Sequence, residues 1–182
     1  QMLHDNAVWR KHARRDTTKA SNWAPMPKAP IVTEAVPTGE RTGQPWRYTT
    51  SRPGQDWEKP DFDDSGWRQG QSGFGTRGTP GARVRTEWNS PNIWMRRPFT
   101  LPDIAGQDVQ FFIHHDEDAE VYINGVPALQ LSGYTTGYEI APLAPQAKAA
   151  LKAGPNTIAV HCRQTDGGQY IDVGLVTVKE VK

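Results

Sequence analysis

A chain of 182 residues with 36% hydrophobic residues is the size of one domain, or of one domain with an attached segment, and can bury a core. Its formal net charge of +1 gives no electrostatic case for nucleic acid, and without an apolar run of about 18 residues no membrane insertion is expected. The 17 glycines and 15 prolines, with few helix-period stretches, lean toward an all-β fold with many turns.

Residues 1–20 carry His4, Arg10, Lys11, His12, Arg14, Arg15 and Lys19 against Asp5 and Asp16, a basic segment with only Leu3, Ala7 and Val8 as an apolar side. It reads as a solvated connector or short basic helix; it lacks the apolar stretch of a secretory signal, so any signal is expected to have been removed or to have lain further upstream. Prolines 25, 27, 30 and 37 favour an extended linker. The expected division is therefore a basic segment and Pro-rich linker over residues 1–43 and a folded domain over residues 44–182.

In that domain WRYTT, from Trp46, reads as a short strand. Residues 53–66 are turn-rich, and Trp57, Phe62 and Trp67, spaced among carboxylates, are expected to pin a long loop onto the sheet. Residues 70–92 hold too much glycine for a core element. Such a loop either covers a sheet edge or brings backbone and the donors Arg77, Arg83, Arg85 and Asn89 to a ligand.

Residues 93–101, 109–113 and 119–123 alternate or are rich in β-branched and aromatic residues, and Asn124-Gly125 is a two-residue hairpin signal; they read as three consecutive antiparallel strands. Residues 126–131 and 138–140 follow, then one helical turn within residues 145–152. TIAVHCRQ presents Ile158, Val160 and Cys162 on one face, which makes Cys162 a buried free thiol rather than a disulfide partner or metal ligand. YIDVGLVTVKEV is the last strand, interrupted by Asp172, either a hydrogen-bonded structural carboxylate or a plainly exposed one. About eight strands with these turns suggest a jelly-roll β-sandwich.

If the strands alternate in direction, four loops meet at one end, here termed the near end: the Gly-rich loop before Ile93, residues 116–118, the Tyr134 loop and the DGGQ loop. Trp88 and Trp94 would supply flat faces for a sugar ring, and Asn89, Tyr134, Arg163, Gln164, Asp166 and Gln169 would satisfy its hydroxyls. For Trp94 a place in the core competes with one on the rim. Asp116 and Asp118 invite a structural calcium, although three consecutive acids lack the spacing of a calcium loop, and a turn whose side chains accept backbone N–H bonds is the simpler account. Adjacent carboxylates do not make the opposed pair that hydrolyses a glycoside. His114 and His115 point to opposite faces, and neither a zinc spacing nor a nucleophile elbow is present, so no cofactor and no catalytic constellation is expected.

The order of motifs resembles the galactose-binding-like jelly-roll domains of β-galactosidases and other glycoside hydrolase family 2 enzymes. Trp94, Arg96, Arg97 and Phe99 match its Trp-x-Arg-Arg-x-Phe strand. Tyr122, Asn124 and Gly125 match its Tyr-x-Asn-Gly hairpin, and Gly154, Asn156, Ile158, Ala159 and Val160 match its Gly-x-Asn-x-Ile-Ala-Val strand. The leader WRKHARRDTTKASNWAPMP also resembles the region joining such modules to large secreted glutaminase-like bacterial proteins. These resemblances imply a secreted or periplasmic, non-catalytic carbohydrate-binding or accessory module whose catalytic acids lie in another domain. The alternative is a structural domain that docks against a catalytic neighbour without binding sugar.

Overall fold

Period-two alternation sets the architecture. The computed structural model describes residues 28–104 and 106–181, so the basic segment and most of the Pro-rich stretch lie outside the described residues. Residues 31–179 form one compact unit. Its strands are β1 (Ile31–Val36), β2 (Pro45–Thr49), β3 (Arg68–Gln71), β4 (Phe74–Gly75), β5 (Thr86–Glu87), β6 (Asn92–Leu101), β7 (Asp108–Asp116), β8 (Asp118–Ile123), β9 (Val126–Leu131), β10 (Glu139–Pro142), β11 (Gly154–Arg163) and β12 (Tyr170–Lys179). One short helix, α1 (Pro145–Ala150), starts on a proline and interrupts them.

The strands make two sheets, in the order β3-β2-β6-β11-β8-β9 and β10-β7-β12-β4-β5, with β1 also paired to β12. All pairings among them are antiparallel except β4 with β5. This is the β-sandwich expected from the strand and turn pattern. The inward positions are Ile93, Met95 and Phe99 of β6, Val109, Phe111 and Ile113 of β7, Ile158, Val160 and Cys162 of β11, and Ile171, Val173 and Leu175 of β12. Cys162 is a free, fully buried thiol.

The three central strands do run in alternating directions, but they do not pair with one another. β6 lies between β2 and β11, whereas β7 crosses to the other sheet beside β12, and β8 returns to pair with β11 and β9. β8 buries only its Ala119, Val121 and Ile123 face, while β6 and β7 also bury residues on the other face, so periodicity reports inward sides without saying which strand is the neighbour.

The folded unit also begins earlier than residue 44. β1 runs from Ile31↔Lys179 to Val36↔Leu175 along the last strand, and Val36 and Thr38 are buried. Pro30 and Pro37 bracket this edge strand and leave its ladder donors intact, so a proline-rich stretch hides a strand.

Outside the core, each sheet is covered by a loop. Trp57 meets Tyr122 edge-on at 5.6 Å, Phe62 meets Trp67 at 5.8 Å, and the Arg96 guanidinium lies 5.4 Å from the Phe62 ring centroid. Arg96, only 3% exposed, donates to Asp64 at 2.8 Å and to the Trp57 carbonyl, and so holds the loop of residues 50–67 down. On the other sheet, Asp172 is fully buried beneath residues 37–44: its Oδ2 accepts from Tyr138 Oη at 2.5 Å and from the Gly39 N–H at 2.7 Å.

Candidate functional site

Four loops of the near end enclose an open cleft of about 360 Å³, lined by Pro80, Asp116, Glu117, Tyr134, Thr135, Thr136, Asp166, Gly167 and Gly168. Each comes from a different turn at the ends of β4, β7, β9 and β11. The volume is in the range of small-molecule sites.

Strand ends fix these side chains. Asp116 closes β7 and is bridged to Tyr134, while the Thr135 N–H donates to the His115 carbonyl at 2.9 Å, so the Tyr134 loop is an extension of the sheet. The Asp116–Glu117 peptide is cis. Two glycines let the other loops close in. A Cβ on Gly81 would lie 2.2 Å from the Thr136 carbonyl oxygen, and Gly81 also has a positive φ of 72°. A Cβ on Gly168 would meet Asp116 Oδ2.

Asp116 is 6% exposed, and its Oδ1 has no hydrogen-bond partner. Burial raises its pKa above the ordinary carboxylate value, and the neighbouring Glu117 charge adds to the shift. Glu117 is held from the other side by the Thr165 hydroxyl. Asp166, exposed, accepts from the Gly167 N–H at 2.8 Å. Tyr134 is 67% exposed and offers a ring on the rim.

Of the residues assigned from sequence, Tyr134, Asp166 and Asp116 meet in this cleft. Asn89 and Arg163 are exposed but do not line it. Trp88 is corrected from a stacking platform to a buried support: it is 2% exposed, and its indole N–H is shared between Ser90 Oγ and the Asn92 carbonyl at 3.1 and 3.2 Å. Trp94 belongs neither to the core nor to the rim. It lies on the outer face of its sheet, 9% exposed and stacked on His161 at 4.7 Å with the planes 6° apart. Gln169 is buried at 5%, donating to the Ser90 carbonyl at 2.7 Å, and Gln164 donates to the Gly167 carbonyl at 3.3 Å. The Gln169 amide thus ties two loops together, whereas the Gln164 amide bonds within its own loop.

The calcium assignment lacks a donor set. Asp118 accepts from the Gly133 N–H at 3.1 Å, and among the described residues no three His, Cys, Asp or Glu side chains group to hold a metal. Two arginines of the Gly-rich loop are likewise engaged: Arg83 and Arg85 donate to the carbonyls of Glu40, Gly39 and Arg41, and β4 and β5 continue the sheet edge beside β12. Pro80, Glu117, Thr135, Thr136, Gly167 and Gly168 were not among the assigned ligands. Loop direction alone brings them in, which is a signal already present in the strand count.

No family model and no curated protein matches the sequence. Solved structures do match. A glycosyl hydrolase family 2 member from Bacteroides cellulosilyticus is 16% identical with a TM-score of 0.52, covering 78% of this chain and 20% of its own. A calcium-binding mutant of Bacteroides uniformis β-glucuronidase 2 is 18% identical with a TM-score of 0.55, covering 82% and 18%. A β-glucuronidase from Ruminococcus gnavus, in complex with D-glucaro 1,5-lactone, is 9% identical with a TM-score of 0.54, covering 86% and 31%. The chain thus spans between about a fifth and a third of these structures, and its β-sandwich fold is similar to that of a part of them.

Proposed function

We propose that this domain is a non-catalytic carbohydrate-binding module appended to a secreted or periplasmic glycan-active hydrolase, and that the near-end cleft is its site. The observation that carries this reading is the cleft itself: loops from four strand ends and a strongly exposed tyrosine ring share one concave surface of ligand size. Hydroxyls of a sugar would donate to Asp116 and Asp166, the Thr135 and Thr136 hydroxyls would extend the polar set, and the ring of Tyr134 would take an apolar sugar face. Bond-breaking chemistry is assigned to a neighbouring domain, in keeping with the short span that this fold occupies in the similar structures.

Calorimetric titration of the whole chain with a panel of mono- and oligosaccharides tests the reading, with Tyr134→Ala as the control. Saturable binding weakened about tenfold or more in the variant supports it. Silence across the panel rejects it and leaves the docking alternative. That alternative draws on Ile31 and Val32, 55% and 45% exposed at the start of the edge strand β1.

A further inference from the structure

In the sequence a glycine follows an asparagine or an aspartate twice, at Asn124-Gly125 and at Asp166-Gly167. Either pair can close on itself. The glycine nitrogen attacks the side-chain carbonyl carbon of the residue before it and makes a five-membered imide, a step that glycine permits because no side chain shields its nitrogen. Asparagine expels ammonia more readily than aspartate expels water, so an unfolded chain reacts first at Asn124.

The fold reverses that order. Asn124 Nδ2 donates to the Ala150 carbonyl and to Asn156 Oδ1, and Asn124 Oδ1 accepts from the Thr157 N–H, each at 2.8 Å. Its main-chain N–H donates to the Thr157 carbonyl at 2.9 Å, and Lys59 packs over the glycine, where a Cβ on Gly125 would lie 3.1 Å from Lys59 Cγ. The three side-chain bonds must break before the amide can turn toward the glycine nitrogen, which slows attack about a hundredfold. Asp166 has no such anchor. Asp166 and Gly167 are both exposed, and a Cβ on Gly167 would meet nothing within 4 Å. Among the described residues the Asp166 carboxylate bonds to the Gly167 N–H alone, at 2.8 Å, so the nucleophile and the group it attacks are already neighbours.

We propose that Asp166-Gly167 is a site of spontaneous isoaspartate formation, a self-modification in the wall of the cleft. The Gly167 nitrogen bonds to Asp166 Cγ, and the carboxyl hydroxyl leaves with the amide proton as water. Water then adds to the main-chain carbonyl carbon of Asp166, the bond from that carbon to the Gly167 nitrogen breaks, and the nitrogen keeps its new bond to Cγ. Mass and oxidation state are unchanged. The chain now runs through Cβ and Cγ, and the former main-chain carbonyl is a side-chain carboxylate. The main chain is thereby one carbon longer where there is no spare room: a Cβ on the adjacent Gly168 would lie 2.3 Å from Asp116 Oδ2. The modified loop moves relative to the end of β7, and the cleft changes shape with it, whether or not it takes a sugar.

The test incubates the whole chain at neutral pH and physiological temperature, folded in one series and unfolded in guanidinium chloride in the other. Tryptic peptides are followed by mass spectrometry, with electron-transfer fragmentation to locate isoaspartate and an isoaspartyl methyltransferase to count it. In the folded protein the peptide from Gln164 to Lys179 should split into two forms of equal mass, about tenfold faster than Asn124 loses its amide. The unfolded chain should show the opposite order. Asp166→Glu, whose imide ring is larger and closes far more slowly, should abolish the second form. A peptide that stays single in the folded protein overturns the proposal, and so does deamidation of Asn124 that outpaces it there.

Discussion

A methyl group placed on Gly168 would lie 2.3 Å from Asp116 Oδ2. The loop between β11 and β12 therefore packs directly on the carboxylate at the end of β7, and the cleft has its present shape because no side chain intervenes.

Gly168→Ala is expected to displace either the loop or Asp116 and to lower stability by about 1–3 kcal/mol. Gly66, with open space around it and no positive φ, is the matched control: Gly66→Ala should change stability by less than about 0.5 kcal/mol. Urea denaturation of the two variants decides this, and equal effects would contradict the close packing.

Asp172 predicts a pH dependence. Burial pushes its pKa up from 3.8 to about 6, despite the donors Tyr138 and the Gly39 N–H, so the folded state holds a proton that the unfolded chain has released. Its contribution is fully present below about pH 4 and is lost as pH rises through about 6, a fall of about 2–3 kcal/mol. His114, held below the ordinary imidazole value chiefly by burial, acts in the opposite direction as pH rises. The comparison is therefore wild type against Asp172→Asn, in urea melts from pH 4 to 8. The stability difference between the two should change across this window, and parallel curves would refute the assignment.

The Arg96–Asp64 pair should hold the loop of residues 50–67. Asp64 also faces Arg47 at 3.4 Å, so Asp64→Ala leaves the almost fully buried Arg96 without its carboxylate. A loss of about 2–4 kcal/mol and faster proteolytic cleavage between residues 50 and 67 are expected. Unchanged cleavage would show that the aromatic contacts suffice.

Asn124 and Asn156 form a lock at the far end. The Asn124 amide donates to the Ala150 carbonyl and to Asn156 Oδ1, both at 2.8 Å, and its Oδ1 accepts from the Thr157 N–H at 2.8 Å. Its φ of 51° suits asparagine better than alanine. Asn124→Ala should cost about 2–4 kcal/mol in thermal or urea unfolding, and Asn124→Asp no less, since the oxygen replacing Nδ2 would face two acceptors although Oδ1 could still accept from Thr157.

That lock explains why the motif resemblance carried so far. The Tyr-x-Asn-Gly hairpin and the Gly-x-Asn strand are distant in sequence, and their asparagines bond to each other. The inward faces of β6, β7, β11 and β12 were legible because period two survives in single strands. Strand neighbours were not, since a crossing between sheets leaves the alternation unchanged. The candidate site was legible in its loops and in part of its side chains, Tyr134, Asp116 and Asp166. Trp88 and Gln169 look like rim residues in the sequence, and the folding of the Gly-rich loop over them makes them interior. Arg83 and Arg85 look like ligand donors, and residues 39–41 claim them.

The antiparallel pairing of β1 with β12 has a mechanical consequence. Ile31 sits opposite Lys179, so the chain enters and leaves this unit side by side, at the end of β12 remote from Tyr170 and the cleft. Tension applied between these two points would load the β1–β12 ladder one pair at a time, peeling it like a zipper instead of shearing it. The first strand would detach under modest force, while the cleft, at the other pole, would keep its shape until the rest of the sandwich gave way.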